Sequence, residues 1–359
     1  MTNTDLIRAL GRWSHDPGFS ERAQKALRRA AISMIILDAP LDDYARNGDL
    51  LNIRWVGPFV ARVVKEILSG ARPPVPPTDE WPESARTTYE LIAPGYDTFL
   101  ALHDARRIAE QRGLPAARGD LQNHTTWSDG SASPRAVVRA AENLGYEYIA
   151  ITDHSAGLRI ARGMPVEKMR RQHPALVKMS ARLGFRIFRG VEVNVLPSGD
   201  LDMTADDLRG VELVVASCHS NLRRTEDQTA RLIAAVTHPG VHIFGHPRGR
   251  IFGVPRGIRA TWDEVFAAAA QHGTAIEINS SPDRQDVDFE LAGGAGRAGC
   301  WISLGSDSHS LREMTWLDLA RGHLALSGAP AGRVLNFLPG RDLGAWLARK
   351  TRISINTRL

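Results

Sequence analysis

Cysteine is almost missing from this sequence. Cys218 and Cys300 are the only two in 359 residues, which excludes a disulfide framework and a Cys-rich zinc module. No stretch approaches ~18 uninterrupted apolar residues, so nothing reads as membrane-spanning. The opening run MTNTDLIRALGRWSHDPG has neither the apolar core nor the small-residue exit of a cleavable signal, and the expected location is cytoplasmic. With 43% hydrophobic and 24% charged residues, disordered and collagen-like chains are also excluded. The net charge is +5, with arginine far outnumbering lysine. Such an excess permits contact with phosphate or nucleic acid without requiring it.

Histidine is where the sequence becomes informative. Seven of its twelve histidines fall between His124 and His246, several of them inside short Gly/Ser/Asp-rich turns. The surrounding texture divides into zones. Residues 1–72 carry apolar residues at three- and four-residue spacing, which predicts a small all-α domain. Residues 73–118 begin with a proline-rich linker within ARPPVPPTDEWPES (71–84) and continue into a connecting helical stretch over 83–113. From Gly119 to about residue 340, short β-rich runs alternate with helical stretches. Seven strand candidates in that order predict an α/β fold, a closed seven-stranded (β/α) barrel of parallel strands. Residues 341–359 read as a C-terminal helix and tail.

In such a barrel the chemistry sits at the C-terminal ends of the strands. The first run ends in Gln122, Asn123 and His124, with Asp129 in the following turn; the second ends in Asp153 and His154. Glu192 lies on the third, His219 and His246 end the fourth and fifth, and Asp307 and His309 follow the last. A single histidine at a strand end is an ordinary hydrogen-bonding residue. A set recurring at nearly every strand end reads as a polynuclear metal site, because buried charge is costly unless paired or metal-bound. Nitrogen and oxygen donors without thiolate suit Mn, Fe or Zn. Two or more such ions can clamp an in-line displacement at phosphorus. Arg250, Asn279 and Arg284 adjoin the ligand turns and are candidates to hold a phosphate. Asp153 is a candidate either to bind metal or to orient His154. Cys218 adjoins His219 on a strand and so faces the opposite way.

Taken together, DLQNHTTWSDG, AITDHS, GVEVNVLPSGDLD, ASCH, GHPRGR, EINSSPDR and GSDSH resemble the PHP (polymerase and histidinol phosphatase) domain, most of all the version attached to bacterial family X DNA polymerases. The resemblance implies a distorted seven-stranded barrel and three divalent metal ions, Mn first and Zn or Fe as alternatives. It implies His124, Asp129, His154, Glu192, His219, His246, Asp307 and His309 as ligands, with Glu192 bridging and both Glu192 and Asp307 essential to catalysis. Most members carry His where this chain has Gln122, a poor ligand for these metals; Gln122 marks a subtype. The stretch LDDYARNGDLLNIRWVGPFVARVVKEILSG resembles the small helical domain preceding the family X palm, with NIRWVGPFVARVV in the place of its helix-hairpin-helix. Its turn contains Pro58, which has no N–H to donate to a phosphate. DNA binding and a packing or protein-contact role both stay open for it. No segment between residues 72 and 118 has room for a polymerase palm.

The expected function is phosphoester hydrolysis at DNA ends, as 3′-5′ exonuclease, 3′-phosphatase or abasic-site endonuclease. A small phosphomonoester of nucleotide or histidinol phosphate type is the alternative substrate. The non-enzymatic alternative is a DNA-repair adaptor.

Overall fold

The computed structural model describes residues 1–255 and 257–356, with side chains to Lys350. Its first third is helical: α1 (Asn3–Trp13), α2 (Glu21–Ile35), α3 (Leu41–Arg46), α4 (Pro58–Leu68), α5 (Glu83–Tyr96) and α6 (Leu102–Gln111). Local chemistry starts these helices. The Thr2 hydroxyl accepts from Asp5 N while the Asp5 carboxylate accepts from Thr2 N, a reciprocal cap. Proline opens α4, where a missing N–H costs nothing. The stretch over 83–113 divides into two helices, contrary to the single helical run expected. Its break is held from outside: Leu100 N donates to Gln285 Oε1 at 2.8 Å and Gln285 Nε2 donates back to Leu100 O at 2.9 Å. The helices share one apolar core, in which Leu10, Met34, Val64 and Phe99 pack with Phe252 and Leu319 from the second part of the chain. The helical part is thus seated on the barrel by burial of apolar surface.

Seven parallel strands follow, paired in chain order: β1 (Gly119–Asp120), β2 (Tyr148–Ile151), β3 (Arg186–Asn194), β4 (Leu213–Ser217), β5 (Ile243–Gly245), β6 (Ala275–Asn279) and β7 (Ile302–Gly305). The helices α7 (Pro134–Asn143), α8 (Val166–Leu183), α9 (Thr229–Thr237), α10 (Trp262–His272), α11 (Phe289–Arg297) and α12 (Leu317–Ser327) surround them. One crossover departs from the alternation. Residues 195–212 between β3 and β4 form turns and no helix, which distorts the barrel. A last helix, α13 (Gly340–Asn356), puts Leu343, Trp346 and Leu347 against Leu121, Tyr148, Phe188 and Leu213.

The ring closes between β7 and β1 without a regular ladder. Asn336 stands in for one: its Nδ2 donates to Gly119 O at 2.9 Å and Leu304 O at 2.8 Å, and its Oδ1 accepts from Leu304 N at 2.7 Å. Next along the seam, the Asp120 carboxylate accepts from Ser306 N at 3.1 Å and from the Ser306 hydroxyl. His124 N then donates to Ser308 O at 2.9 Å. Asn336→Ala removes three hydrogen bonds from a fully buried position and leaves their backbone partners dry. At ~1 kcal/mol each, the expected loss is about 3 kcal/mol. The measurement is the urea midpoint at unchanged slope; an unshifted midpoint would show that the seam closes by other contacts.

Candidate metal centre

The loops leaving the strands converge on one buried carboxylate. Glu192, in β3, is fully buried, and four imidazoles surround it. Its Oε1 lies 3.0 Å from His246 Nε2 and 3.5 Å from His219 Nε2; its Oε2 lies 3.0 Å from His154 Nδ1 and 3.4 Å from His124 Nε2. Burial alone would raise its pKa, yet the imidazoles, His154 foremost, hold the carboxyl well below its ordinary range. Asp307 approaches from the other side, with Oδ1 3.1 Å from His124 Nε2. It too is lowered against its own burial, by Arg284 and then His124. Asp129 Oδ2 stands 3.3 Å from His309 Nε2, and burial there is outweighed by His309, leaving the group at about 2.

All eight proposed ligands are therefore brought together. They form three overlapping groups whose donor atoms lie within 4.8 Å of one another: His124, Asp129, His154 and His309; His154, Glu192 and His219; His124, Glu192 and Asp307. His246 joins through Glu192. Hydrogen bonding leaves this set unsatisfied. His124 Nδ1, His154 Nδ1 and Glu192 Oε2 are buried without a hydrogen-bond partner, and the last two lie 3.0 Å apart without aligning as donor and acceptor. Such atoms are costly to bury. The donor set fits divalent ions, and these orphaned atoms are the observation that says so.

Neighbouring groups fix the ligands. His219 Nδ1 sits 2.7 Å from Asn194 Oδ1, and His309 Nδ1 lies 2.8 Å from Asp307 O, which directs each Nε2 into the cluster. Asn194 is held in turn by Asp202, whose carboxylate accepts from Asn194 N at 2.9 Å and Nδ2 at 2.6 Å. Asn279 Nδ2 donates to Asp307 Oδ2 at 3.2 Å, and Arg284 Nη1 does so at 2.9 Å. Arg284 also lines the cleft above, so it can meet a phosphate; Asn279 is buried and holds the ligand.

Two sequence candidates have other uses. Asp153 accepts from Thr125 N, Thr125 Oγ1, Ser128 N, Ser128 Oγ and Gln172 Nε2, at 2.6–3.1 Å. With five donors it organises the loop from His124 to Asp129 and offers no oxygen to a metal; it does not orient His154 either. Arg250 does not reach the cluster. It is buried, its Nη1 is 2.7 Å from Asp288 Oδ2 and 2.8 Å from Thr98 Oγ1, and its guanidinium lies 3.9 Å from the Phe99 ring centroid. The carboxylate of Asp288, out of reach of any sequence pattern, captures it. Burial lowers its pKa to about 10.

Glu277 belongs to the site although no motif of the sequence marks it. This β6 residue, fully internal, accepts from His246 N at 2.7 Å and from Asn279 Nδ2 at 3.4 Å. Burial and then Asp307 push it well above the ordinary carboxylate range. Gly305 makes room for it, because a Cβ there would stand 2.0 Å from Glu277 Oε1. The available signal was a charge in the middle of the apolar strand AIEIN, on the same face as Asn279. Gln122 is also fully buried, and neither its Oε1 nor its Nε2 has a hydrogen-bond partner.

Above the cluster opens a cleft of about 690 Å³. Asp307, His309, Arg284 and Arg312 line it from the barrel, and Arg29, Tyr44, Arg54 and Trp55 line it from the helical part.

Known proteins are similar to this chain in part of their sequence. The model of the PHP domain matches residues 120–281. The DNA polymerase/3′-5′ exonuclease PolX of Bacillus subtilis (strain 168) is 35% identical over 240 residues, which are 66% of this chain and 42% of that protein. The chain thus spans less than half of that relative's length. A probable phosphatase of Citrobacter koseri is 31% identical over 235 residues, 62% of this chain and 91% of that protein. Among solved structures, the histidinol phosphate phosphatase (HISK) of Lactococcus lactis subsp. lactis Il1403, complexed with zinc, L-histidinol and phosphate, is 18% identical with a TM-score of 0.41, over 59% of this chain and 93% of that one. Identity of 31% across nine-tenths of a whole phosphatase, on a segment that contains the matched domain, establishes that this chain belongs to the PHP domain family of hydrolases.

Proposed function

We propose that the chain is a phosphoesterase dependent on three divalent ions, Mn by preference, and that it acts at nucleic-acid ends. Glu192 carries this reading. One buried carboxylate belongs to two ligand groups and is flanked by four imidazoles, the arrangement expected of a bridging ligand. His124, Asp129, His154, Glu192, His219, His246, Asp307 and His309 would hold the ions. When bound, divalent ions supply Lewis acidity at phosphorus and make a coordinated water more acidic. Arg284 is placed to draw a phosphoryl oxygen towards Asp307, and Asn194 and Asn279 keep their ligands oriented. The exonuclease relative supports a DNA end as substrate. The Citrobacter phosphatase, matched over nearly its whole length, supports the second reading, a small phosphomonoester.

The test is a substrate panel with the Mn-loaded protein: a labelled single-stranded oligonucleotide, its 3′-phosphorylated and abasic forms, histidinol phosphate and para-nitrophenyl phosphate. Release of nucleotides or phosphate from oligonucleotide ends is the expected result. Turnover of monoesters alone would establish the second reading, and no turnover of any would leave a non-catalytic adaptor.

Gln122 gives a separate handle on the metal set. Its orphaned amide fits a weak, neutral donor in the position of a stronger imidazole. Gln122→His is expected to tighten Mn binding ~10-fold in a calorimetric titration. Activity at limiting Mn should rise while the saturated rate stays nearly constant. Identical titrations for both proteins would refute a ligand role for the amide.

A further inference from the structure

The turn between α3 and α4 has no role in the metal centre, yet it reaches the same cleft. Trp55 is the residue that stands out there. It is 51% exposed and takes φ = +66°, a strained conformation for a bulky side chain. The guanidinium groups of Arg29 and Arg54 lie 5.0 and 5.1 Å from the centre of its ring. Arg29, Arg54 and Arg312 line the cleft and make no ion pair among the described residues. The acidic residues nearby are engaged. Asp307 is paired with Arg284, Glu313 accepts from His309 N and Ser310 N, and Asp283 accepts from the Ser281 hydroxyl at 3.0 Å. The outer half of the cleft therefore presents an aromatic face among unpaired arginines, and its floor presents the ligand cluster.

We infer that Trp55, with Arg29 and Arg54, is a clamp for an unpaired nucleotide, and that it feeds the end of a single-stranded polynucleotide to the metal centre. An exposed indole can stack on any base, because every base has a π-face, but only when that base is unpaired. Guanidinium groups can move from the ring to the flanking phosphates, which they bind in a planar, bidentate manner. A cleft of about 690 Å³ suits a small organic group of nucleotide scale. The clamp also gives the helical part a task that Pro58 does not obstruct: the side chains of the turn make the contact, and no backbone N–H is required of it. The inference rests on the phosphoesterase reading for what happens to the bound end, and on the cleft alone for the binding.

The test uses the full-length, Mn-loaded protein and fluorescent oligo-dT with phosphorothioate linkages, which resist hydrolysis, followed by anisotropy. Trp55→Ala is expected to weaken binding roughly 5- to 150-fold, the range of one base–aromatic stack, and Trp55→Phe to restore most of it. Arg29→Ala and Arg54→Ala should each lower the slope of log affinity against log salt by ~0.7, as for one phosphate on a single strand. Oligo-dU and oligo-U in parallel, which differ only in the sugar, identify which sugar is preferred. A phosphomonoester with no ring to stack, such as glycerol phosphate, should lose much less kcat/KM in Trp55→Ala than the oligonucleotide loses in affinity. The clamp is overturned if the wild-type protein fails to bind the oligonucleotide, if Trp55→Ala binds as tightly, or if the ring-free ester loses kcat/KM in the same proportion. Wild-type protein that binds through Trp55 but hydrolyses no phosphoester would refute the enzymatic reading and leave the clamp standing.

Discussion

Glu192→Ala is expected to lower turnover by ~10³-fold or more, on any phosphoester that the wild-type protein hydrolyses. The effect should be this large because the side chain serves four others at once. Without it, His124, His154, His219 and His246 lose the one carboxylate that stands within 3.5 Å of all four, and two of the three ligand groups lose a member. Glu192→Gln keeps the volume and removes the charge, so it should fail almost as badly. Asp307→Asn is expected to resemble it, since Arg284 would then face a neutral amide. Two measurements check this: kcat/KM on para-nitrophenyl phosphate, and metal content by elemental analysis. Near-normal rates in both Glu192 variants would place the chemistry elsewhere in the molecule.

Metal removal should have the second large effect, on stability as well as activity. The cluster holds three carboxylates and five imidazoles, of which His124, His154, Glu192, His246 and Asp307 are buried, and several of their polar atoms have no hydrogen-bond partner. An ion that binds only the folded chain adds ~2.7 kcal/mol at a hundredfold excess over its Kd, so three ions would add ~8 kcal/mol. Dialysis against EDTA is expected to abolish turnover and to lower the melting temperature by an amount on the order of 10 °C. Added Mn should restore both. A metal-free preparation that melts and turns over like the untreated protein would overturn the metal reading.

The ligand set could be read from the sequence because its signal is local. Most candidates end a short apolar run or lie in the polar turn that follows it, and parallel strands bring such ends to one rim of a barrel. Seven strands in chain order were legible for the same reason. What escaped depends on partners far apart in the chain. Arg250 looked like a phosphate ligand from its place in GHPRGR, but Thr98, 152 positions earlier, and Asp288 hold it. Asp153 looked like a ligand from its place beside His154, until the donors of the preceding loop are counted against its two oxygens. Glu277 stands two residues before the end of its strand, as Glu192 does; what separates them is the four imidazoles around Glu192 and the backbone N–H of His246 on Glu277, which no strand pattern records. The exposure of Trp55 over the cleft depends on how the helical part seats on the barrel, through contacts such as Phe252 and Leu319 that no short motif records.

The seam closed by Asn336 bears on the order in which the molecule is built. Asn336 meets Gly119 across 217 positions of chain, and contacts of such separation reward the folding chain only after a large loss of loop entropy. Glu192, His219 and His246 stand on or beside three successive strands, so they can assemble early from near neighbours. His124 and Asp307 flank the seam and meet only when the ring shuts. A nascent chain released before β7 would hold six of the eight ligands, without Asp307 and His309, and no complete centre. Hydrolytic competence is then acquired last, as a property of the closed ring.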